Sequence, residues 1–366
     1  MLKQILKKKQ AQIIGIDIGS RAVKAVLLQE TENGHEVAAC ACEYLPANVL
    51  VDRDVRDAEA LSNTLRKVKL ALKTKQDDIA TAVSGSSVIT KVVYMDKGMN
   101  DLELETQIEL EADSLIPYPL DQVYLDFEEL GDSKAAEEKV DVLLTAAHRD
   151  LIDTRVTVLQ EVQFVPKVID VETYALANAL LHFAPVADTE DDQPQPVVCA
   201  NIGNNMMTLA AVQGDDVIYC KEHMFGSDVI LQDLAIMNSL DKLEAERQLI
   251  QNELPATWRQ DSLPQFVANL AQQLSRAIQM YASATGKGTP SSIMIAGGVA
   301  CIEAINEELS REMNIQVEIF NPFAHLTISE QAAKQGLSVW HHKWQLPQGW
   351  RVGDLHHGTY KPVAVA

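Results

Sequence analysis

The pattern of apolar and polar positions divides the chain into short strand-like and helix-like segments. Apolar runs that end at turn residues predict strands, and leucine and valine at intervals of three and four predict a helix over Asp57–Lys73. The first predicted strands are Ile13–Ile18, Val23–Gln29, Glu36–Tyr44 after an Asn33-Gly34 hairpin signal, and Ile79–Val83. We expect an α/β fold whose first subdomain comprises residues 11–85 and 165–185.

A strand-helix-strand-strand-helix rhythm then interrupts this pattern. Its predicted elements are Val88–Met95, an acidic helix at Asp101–Leu115, Val123–Leu130, Val140–Ala147 and a helix at Asp150–Val162. The unit is compact enough to be an inserted subdomain, which we place at residues 86–164. The strand Val165–Val171 and the helix Tyr174–Phe183 return the chain to the first sheet.

Three prolines and four acidic residues in 184–196 mark a linker, assigned to residues 186–196. The strands predicted after it are Val197–Ile202, Met207–Val212, Val217–Glu222 and Ser292–Ala296, with helices over Asp228–Tyr281 and Cys301–Met313. These segments predict a second subdomain at 197–225 and 290–339, a helical subdomain at 226–289 and an irregular tail at 340–366.

The two halves begin with related segments. When Ile14–Ser20 is set above Val198–Asn204, Asp17 falls on Asn201 and Gly19 falls on Gly203. Each segment is a strand, a tight glycine turn and a second apolar strand. A repeat at this distance predicts the duplication of a whole domain.

The repeated turns suit a phosphate ligand. A glycine in the turn lets backbone N–H groups approach a phosphate without a Cβ in the way. Ser20, Asn204 and Asn205 can add donors, and Asp17 can hold Mg²⁺ through water. Two such hairpins facing each other would clamp a polyphosphate, with Gly297-Gly298 near the nucleoside. The simpler alternative is a pair of β-hairpins with ordinary turn glycines.

Composition narrows the function classes. The chain has 366 residues and a net charge of −21, which argues against a general nucleic-acid binder. No apolar run approaches the roughly 20 residues of a membrane-spanning helix. The basic start Met1–Lys9 is not a signal peptide; it is either a disordered leader or a weak electrostatic contact with an anionic membrane. The five cysteines favour reduced thiols in a cytosolic protein, with a metal or redox pair at Cys40 and Cys42 as the alternative.

Over residues 11–338 the chain resembles the PilM family of type IV pilus assembly, a relative of FtsA within the actin-like ATPase superfamily. The residues that carry the resemblance are Ile14–Ser20, Val23-Lys24, Gln107–Ala112, Ile116–Leu120, Leu125–Phe127 and Asp170–Glu172 with Ala175. The stretch Glu111–Leu120 is the most specific part. The end of the chain carries no such resemblance.

This resemblance implies an actin-like (ribonuclease H-like) two-domain fold with an FtsA-type inserted subdomain. It also implies a cytoplasmic protein that binds ATP and Mg²⁺ in its cleft. The protein would grip the N-terminal cytoplasmic peptide of a PilN-like inner-membrane protein and link it to the pilus motor ATPases. It would reach the membrane only through such partners.

The resemblance also assigns site residues. Those of the first phosphate clamp are Asp17, Gly19, Ser20 and Lys24, and those of the second are Asn201, Gly203, Asn204, Asn205 and Thr208. The nucleoside would meet Gly297, Gly298 and Val299, and Gly226 and Ser227 would form a turn near the nucleotide. Glu172 would orient the attacking water as a catalytic residue. The family usually has Asp where this chain has Asn201, and an amide cannot act as a base. We therefore expect nucleotide binding with slow or no hydrolysis.

Other functions and sites stay open at this point. A filament-forming division protein like FtsA and a sugar kinase share the fold, although no convincing sugar-binding loop is found and the tail lacks an amphipathic pattern. The histidine pairs His341-His342 and His356-His357 are either a metal site or a solvated tail. The acidic helix at Asp101–Leu115 is a solvated face or a surface for a basic partner. The segment Ile116–Leu120 could be only a rigid helix exit.

Overall fold

Two units, each with its own sheet, make up the chain. The computed structural model describes residues 12–31, 34–133, 136–185, 194–336 and 363–364. Of these residues, those within 1–30, 39–172 and 350–366 form the first unit, and those within 31–38 and 173–349 form the second. The basic start, most of the predicted linker and the two histidine pairs lie outside the described residues.

The first unit begins with three antiparallel strands. Its elements up to the insert are β1 (Ile14–Ile18), β2 (Ala22–Thr31), β3 (Gly34–Tyr44), β4 (Leu50–Val51), β5 (Asp54–Val55), α1 (Ala58–Leu72) and β6 (Asp78–Val83). Asp57 caps α1 by accepting a hydrogen bond from Ala60 N, and Lys73 ends the helix in a left-handed conformation. Leucine and valine at helical spacing turn one face of α1 into the core.

The inserted segment is a three-stranded antiparallel sheet with two helices. Its elements are β7 (Val88–Asp96), α2 (Asp101–Leu115), β8 (Val123–Asp132), β9 (Lys139–His148) and α3 (Arg149–Glu161), with strand order β7-β9-β8. Leu104, Ile108 and Ala112 of α2 pack on Val142 and Leu144 of the sheet. Strand β10 (Val165–Val171) then pairs in parallel with β6, and α4 (Glu172–Phe183) follows. A two-residue strand at Val363–Ala364, within the tail predicted to be irregular, pairs with β10.

The second unit combines a five-stranded sheet with a set of helices. Its first elements are β11 (Val197–Ile202), β12 (Met207–Gln213), β13 (Asp216–His223), α5 (Asp228–Asn238), α6 (Lys242–Gln251), α7 (Trp258–Asp261) and α8 (Leu263–Thr285). They are followed by β14 (Ser292–Gly297), α9 (Ile305–Met313), β15 (Gln316–Ile319), β16 (Thr327–Ile328) and α10 (Glu330–Lys334). The long helix α8 buries Phe266, Leu270, Leu274 and Ile278 in the core of this unit.

The two sheets share one strand order, which confirms the repeat of the opening hairpin. In the first unit the order is β3-β2-β1-β6-β10, and in the second it is β13-β12-β11-β14-β15. Asp17 pairs with Lys24 in the first hairpin, and Asn201 pairs with Thr208 in the second. The turns close with the same hydrogen bond, from Gly19 N to Ala22 O at 3.1 Å and from Gly203 N to Met206 O at 2.9 Å.

The helix predicted at Cys301–Met313 begins later than expected. A single 3-10 turn occupies Gly298–Cys301, and α9 begins only at Ile305. Ala304 between them has a φ of 62°, a left-handed conformation that interrupts a right-handed helix. Among the described residues no helix is long and apolar enough to cross a membrane.

Candidate functional site

The turn between β1 and β2 places an ion pair beside the first glycine. Because Asp17 and Lys24 are register partners, their side chains lie on the same face, and Lys24 Nζ is 2.9 Å from Asp17 Oδ2. Burial alone would lower the pKa of Lys24, but the carboxylate of Asp17, helped by Cys42 and Glu172, raises it above its usual value. Gly19 and Ser20 are partly exposed in the turn. The structure therefore places Asp17, Lys24 and the turn residues Gly19 and Ser20 together, with the lysine charged.

Glu172 lies within electrostatic range of this pair, but its carboxylate is already engaged. It follows β10 directly and is the first residue of α4. Arg53 Nη1 donates to Glu172 Oε1 at 3.3 Å, and Arg53 Nη2 lies 3.2 Å from Oε2. Both side chains are less than one-fifth exposed. A carboxylate held in this bidentate way has fewer lone pairs free for a water molecule.

Sequence reasoning missed the two arginines of this site. Arg53 lies in the two-residue loop between β4 and β5, which carries Asp52-Arg53 instead of the Asn-Gly signal of such loops. Arg155 of α3 is fully buried and donates from Nη2 to the backbone oxygen of Arg53 at 3.0 Å. Burial lowers the pKa of Arg155, and the carboxylates of Glu172 and Asp17 oppose that shift. No local pattern marks either arginine, because their partners lie about 100 residues away.

The second hairpin forms a tight loop with the start of α5. Ser227 N donates to Gly203 O at 2.9 Å, and Asp228 N donates to Asn204 O at 2.8 Å. A Cβ on Gly226 would lie only 2.1 Å from Asn204 O, so this position requires glycine. The structure therefore brings together Gly203, Asn204, Gly226 and Ser227, which the resemblance assigns to the nucleotide site.

One polar atom of this loop lacks a hydrogen-bond partner. Asn204 Nδ2 donates to Asn205 Oδ1, whereas Asn204 Oδ1 is buried and has no hydrogen-bond partner. A buried amide oxygen without a partner is costly unless a ligand or water supplies the donor. Thr208 is buried opposite Asn201 in the hairpin, so its hydroxyl is less accessible than the Asn205 side chain.

The end of β14 lies against the same hairpin. Gly297 pairs with Ile202 and has a φ of 95°, and a Cβ there would lie 2.2 Å from Ile202 O and 2.9 Å from Asn201 Oδ1. Gly298 has open space where its Cβ would be. Val299 differs from the expectation, because its side chain is fully buried in the core and leaves only its backbone for a ligand.

Each unit carries groups that suit part of a nucleotide. In the first unit, a charged lysine lies beside a carboxylate at a glycine turn, which suits phosphate and a hydrated metal. In the second unit, two loops packed too closely for a Cβ and an orphaned amide oxygen suit phosphate or a nucleoside. In the part of the chain that the structure describes, no group of three or more His, Cys, Asp or Glu side chains could hold a metal ion. Mg²⁺ bound mainly through phosphate oxygens and water needs only one or two carboxylates, and Asp17 is the residue that would supply one.

A second candidate surface lies where the insert meets the first sheet. Val83 of β6 and Ile169 of β10 pack against Ala147, Leu151 and Ile152 of the insert. Val88, Tyr124 and Val156 surround this apolar cluster and remain partly exposed. We call these eight residues the junction. The Arg149 guanidinium lies 4.3 Å from the centre of the Tyr124 ring, and the Tyr124 hydroxyl donates to Asp153 Oδ1 at 2.9 Å.

The five-strand order that the two sheets share and their matching glycine hairpins define an actin-like fold, as predicted. Solved structures support this class: the chain matches a "PilM-PilN type IV pilus biogenesis complex" with a TM-score of 0.73 and 21% identity, covering 93% of this chain and 97% of the other. It also matches the ethanolamine utilization protein EutJ from Carboxydothermus hydrogenoformans, with a TM-score of 0.51, 15% identity and 84% of each chain covered.

The family follows from the sequence comparison. The family model described as "Type IV pilus assembly protein PilM" matches residues 15–350, and the chain therefore belongs to this family. The resemblance stated from the motifs is thus confirmed. Neither the FtsA-like division protein nor the sugar kinase is favoured by these findings.

Proposed function

We propose that this protein is a cytoplasmic, ATP-binding adaptor of type IV pilus assembly. It would bind the N-terminal peptide of a PilN-like inner-membrane protein and connect it with the pilus motor ATPases, reaching the membrane through that partner. The observation that carries the proposal is the family match over residues 15–350. A structural neighbour is a complex of PilM with PilN, which supports the choice of partner.

The junction is the place we propose for the peptide. It offers buried apolar walls with three partly exposed side chains at their rim. Strand β8, which begins beside it, has only β9 as a neighbour among the described strands, so its other edge can accept main-chain hydrogen bonds. An extended peptide can use both features at once, because its alternate side chains fill apolar pockets while its backbone extends the sheet.

Charge favours a basic peptide at this edge. Strand β8 carries Asp126, Glu128 and Glu129, and the chain as a whole has a net charge of −21. Complementary charge raises the association rate and specificity more than the affinity. Since ordering a flexible peptide costs free energy, we expect a dissociation constant on the order of micromolar.

Fluorescence anisotropy with a labelled N-terminal peptide of the PilN-like partner tests this function. We expect saturable binding to the full chain, and Tyr124→Ala should weaken it about tenfold by removing an aromatic side chain from the rim. Tyr94→Ala is the matched control. The strand partners of the two tyrosines on β9, Ala147 and Asp141, are six residues apart, which is about 20 Å along the strand. Absence of binding with and without ATP would reject the adaptor function.

For the nucleotide, we propose that ATP with Mg²⁺ binds through the loops described in each unit. Asp17, Gly19, Ser20 and Lys24 would hold phosphate and the hydrated metal in the first unit. In the second unit, the glycine loops and the orphaned Asn204 oxygen support contacts from Asn201, Gly203, Asn204, Asn205, Thr208, Gly226, Ser227, Gly297, Gly298 and the Val299 backbone. When bound, the metal would offset phosphate charge.

Calorimetry tests the two nucleotide loops separately. Asp17→Ala should weaken Mg–ATP binding by removing the carboxylate, and Gly203→Val should weaken it because a side chain there meets Met206 O at 3.0 Å. Asp132→Ala is the control for the loss of a carboxylate. Asp132 lies on the insert, and its Oδ2 is 3.0 Å from Lys97 Nζ. If both loop variants bind ATP as the unmodified protein does, the assignment of these loops is wrong.

A further inference from the structure

The Arg53–Glu172 ion pair is bidentate and largely buried, unlike an ordinary surface ion pair. Both carboxylate oxygens of Glu172 face guanidinium nitrogens, at 3.3 and 3.2 Å, and water has little access to either side chain. Glu172 also interacts electrostatically with Lys24, so the pair lies beside the proposed phosphate site of the same unit. Strands β1 and β10 both pair in parallel with β6, so Glu172, which follows β10, lies at the same end of the sheet as the β1–β2 turn. The carboxylate at that position is the one that Arg53 engages.

The backbone that presents Arg53 is unusual. Asp52 and Arg53 both have positive φ, at 51° and 73°, a conformation that costs free energy for residues other than glycine. Two contacts hold the loop. Arg155 donates to Arg53 O, and the Arg53 side chain lies close to Gly85, where a Cβ would be 3.2 Å from Arg53 Cγ. Strain of this kind persists where the surroundings enforce it, often at functional sites.

We propose that Arg53 is a positioning residue that holds the Glu172 carboxylate away from the attacking water and thereby keeps ATP hydrolysis slow. This inference rests on the proposed nucleotide binding. Arg155 supports the arrangement by fixing the carbonyl of the strained loop. Its Nε and Nη1 have no hydrogen-bond partner, so the loop contact is its only described hydrogen bond.

The step that Arg53 restrains is an ordinary hydrolysis. The water oxygen forms a bond to the γ-phosphorus while the bond from phosphorus to the bridging oxygen breaks, and the electron pair stays on ADP. The water proton passes to the Glu172 carboxylate and then to the released phosphate. A positioned base of this kind contributes about 10²–10⁴-fold to a rate. A carboxylate whose two oxygens are both bound to a guanidinium gives a smaller rate enhancement, because it is less able to accept the proton.

Arg53→Asn is the informative substitution. Asparagine tolerates left-handed backbone better than most residues, so the loop is kept while the guanidinium is removed. We expect phosphate release to rise about tenfold or more, within the range of general-base effects, while the dissociation constant for Mg–ATP stays unchanged. Arg53→Lys, which keeps the charge but not the bidentate geometry, should raise the rate less.

Two further variants separate positioning from general loosening of the loop. Arg56→Asn removes a more exposed arginine, 60% exposed, from the end of the same hairpin and should leave hydrolysis unchanged. In Arg53→Asn with Glu172→Gln the rate should fall back to the unmodified level, since the gain requires the freed carboxylate. Without nucleotide, urea midpoints of the single and double variants should be non-additive, because the two side chains interact.

Several results would overturn the inference. An unchanged rate in Arg53→Asn, with ATP binding intact, would show that the ion pair does not restrain hydrolysis. A rate that stays high in the double variant would place the effect elsewhere, and loss of ATP binding in Arg53→Asn would make Arg53 a ligand of the nucleotide. If the unmodified chain binds no ATP, the proposed nucleotide function fails together with this inference, and the calorimetry identifies that case.

Discussion

Gly226 gives the most direct structural prediction. In Gly226→Ala the added Cβ would lie 2.1 Å from Asn204 O, 2.3 Å from its carbonyl carbon and 2.6 Å from Gly203 O. Ordinary non-bonded separations are about 3.5 Å, so the loop must move by more than about 1 Å. That movement breaks or lengthens the hydrogen bonds from Ser227 N and Asp228 N, now 2.9 and 2.8 Å.

The cost can be estimated from those two bonds and the strain. Each hydrogen bond contributes about 1 kcal/mol net, and backbone displacement adds a similar amount, so the free energy of unfolding should fall by about 3 kcal/mol. Urea denaturation followed by circular dichroism measures it. Gly298→Ala is the matched control, because no atom lies within 4 Å of its Cβ position, and it should change stability by less than about 0.5 kcal/mol. Equal midpoints for the two variants would refute this steric argument.

Three further predictions follow from single sites. Asn201→Asp should increase phosphate release in a colorimetric assay, because a carboxylate can accept a proton and an amide cannot. An unchanged rate would show that Asn201 does not limit hydrolysis. Burial raises the pKa of Cys220 from 9.0 to about 12, which disfavours the reactive thiolate. At pH 8, native Cys220 should therefore be alkylated about a thousandfold more slowly than Cys220 of the urea-unfolded chain, as followed by mass spectrometry. Equal alkylation rates would contradict this prediction. Asn100→Ala should lower the melting temperature, because Asn100 Oδ1 caps α2 by accepting hydrogen bonds from Leu102 N and Glu103 N, both at 3.1 Å, and such a cap contributes about 1 kcal/mol. Ser114→Ala, at the other end of α2, is the control.

Local pattern was enough for much of the fold. The predicted helix Asp101–Leu115 and the strands Val165–Val171 and Val197–Ile202 have the bounds of α2, β10 and β11. Helix caps, the alternation of apolar and polar residues in strands, and turn glycines each depend on a few neighbouring residues. They therefore predict helices and strands without knowledge of the fold. The same locality explains the error after Gly298, where the helical pattern of 301–313 gave no warning of the left-handed residue Ala304.

The sequence alone determined the duplicated glycine hairpins, because each hairpin forms from neighbours in the chain, and its motifs carried the resemblance to the actin-like class. Only the tertiary structure decided which side chains meet beside these hairpins. Arg53 and Glu172 are 119 residues apart, and Gly297 of β14 is the register partner of Ile202 on the neighbouring strand β11. The burial of Arg155 and Val299 also depends on packing between distant elements. Contacts of this range leave no periodicity in the sequence, since they depend on how whole elements pack and not on the spacing of residues within one.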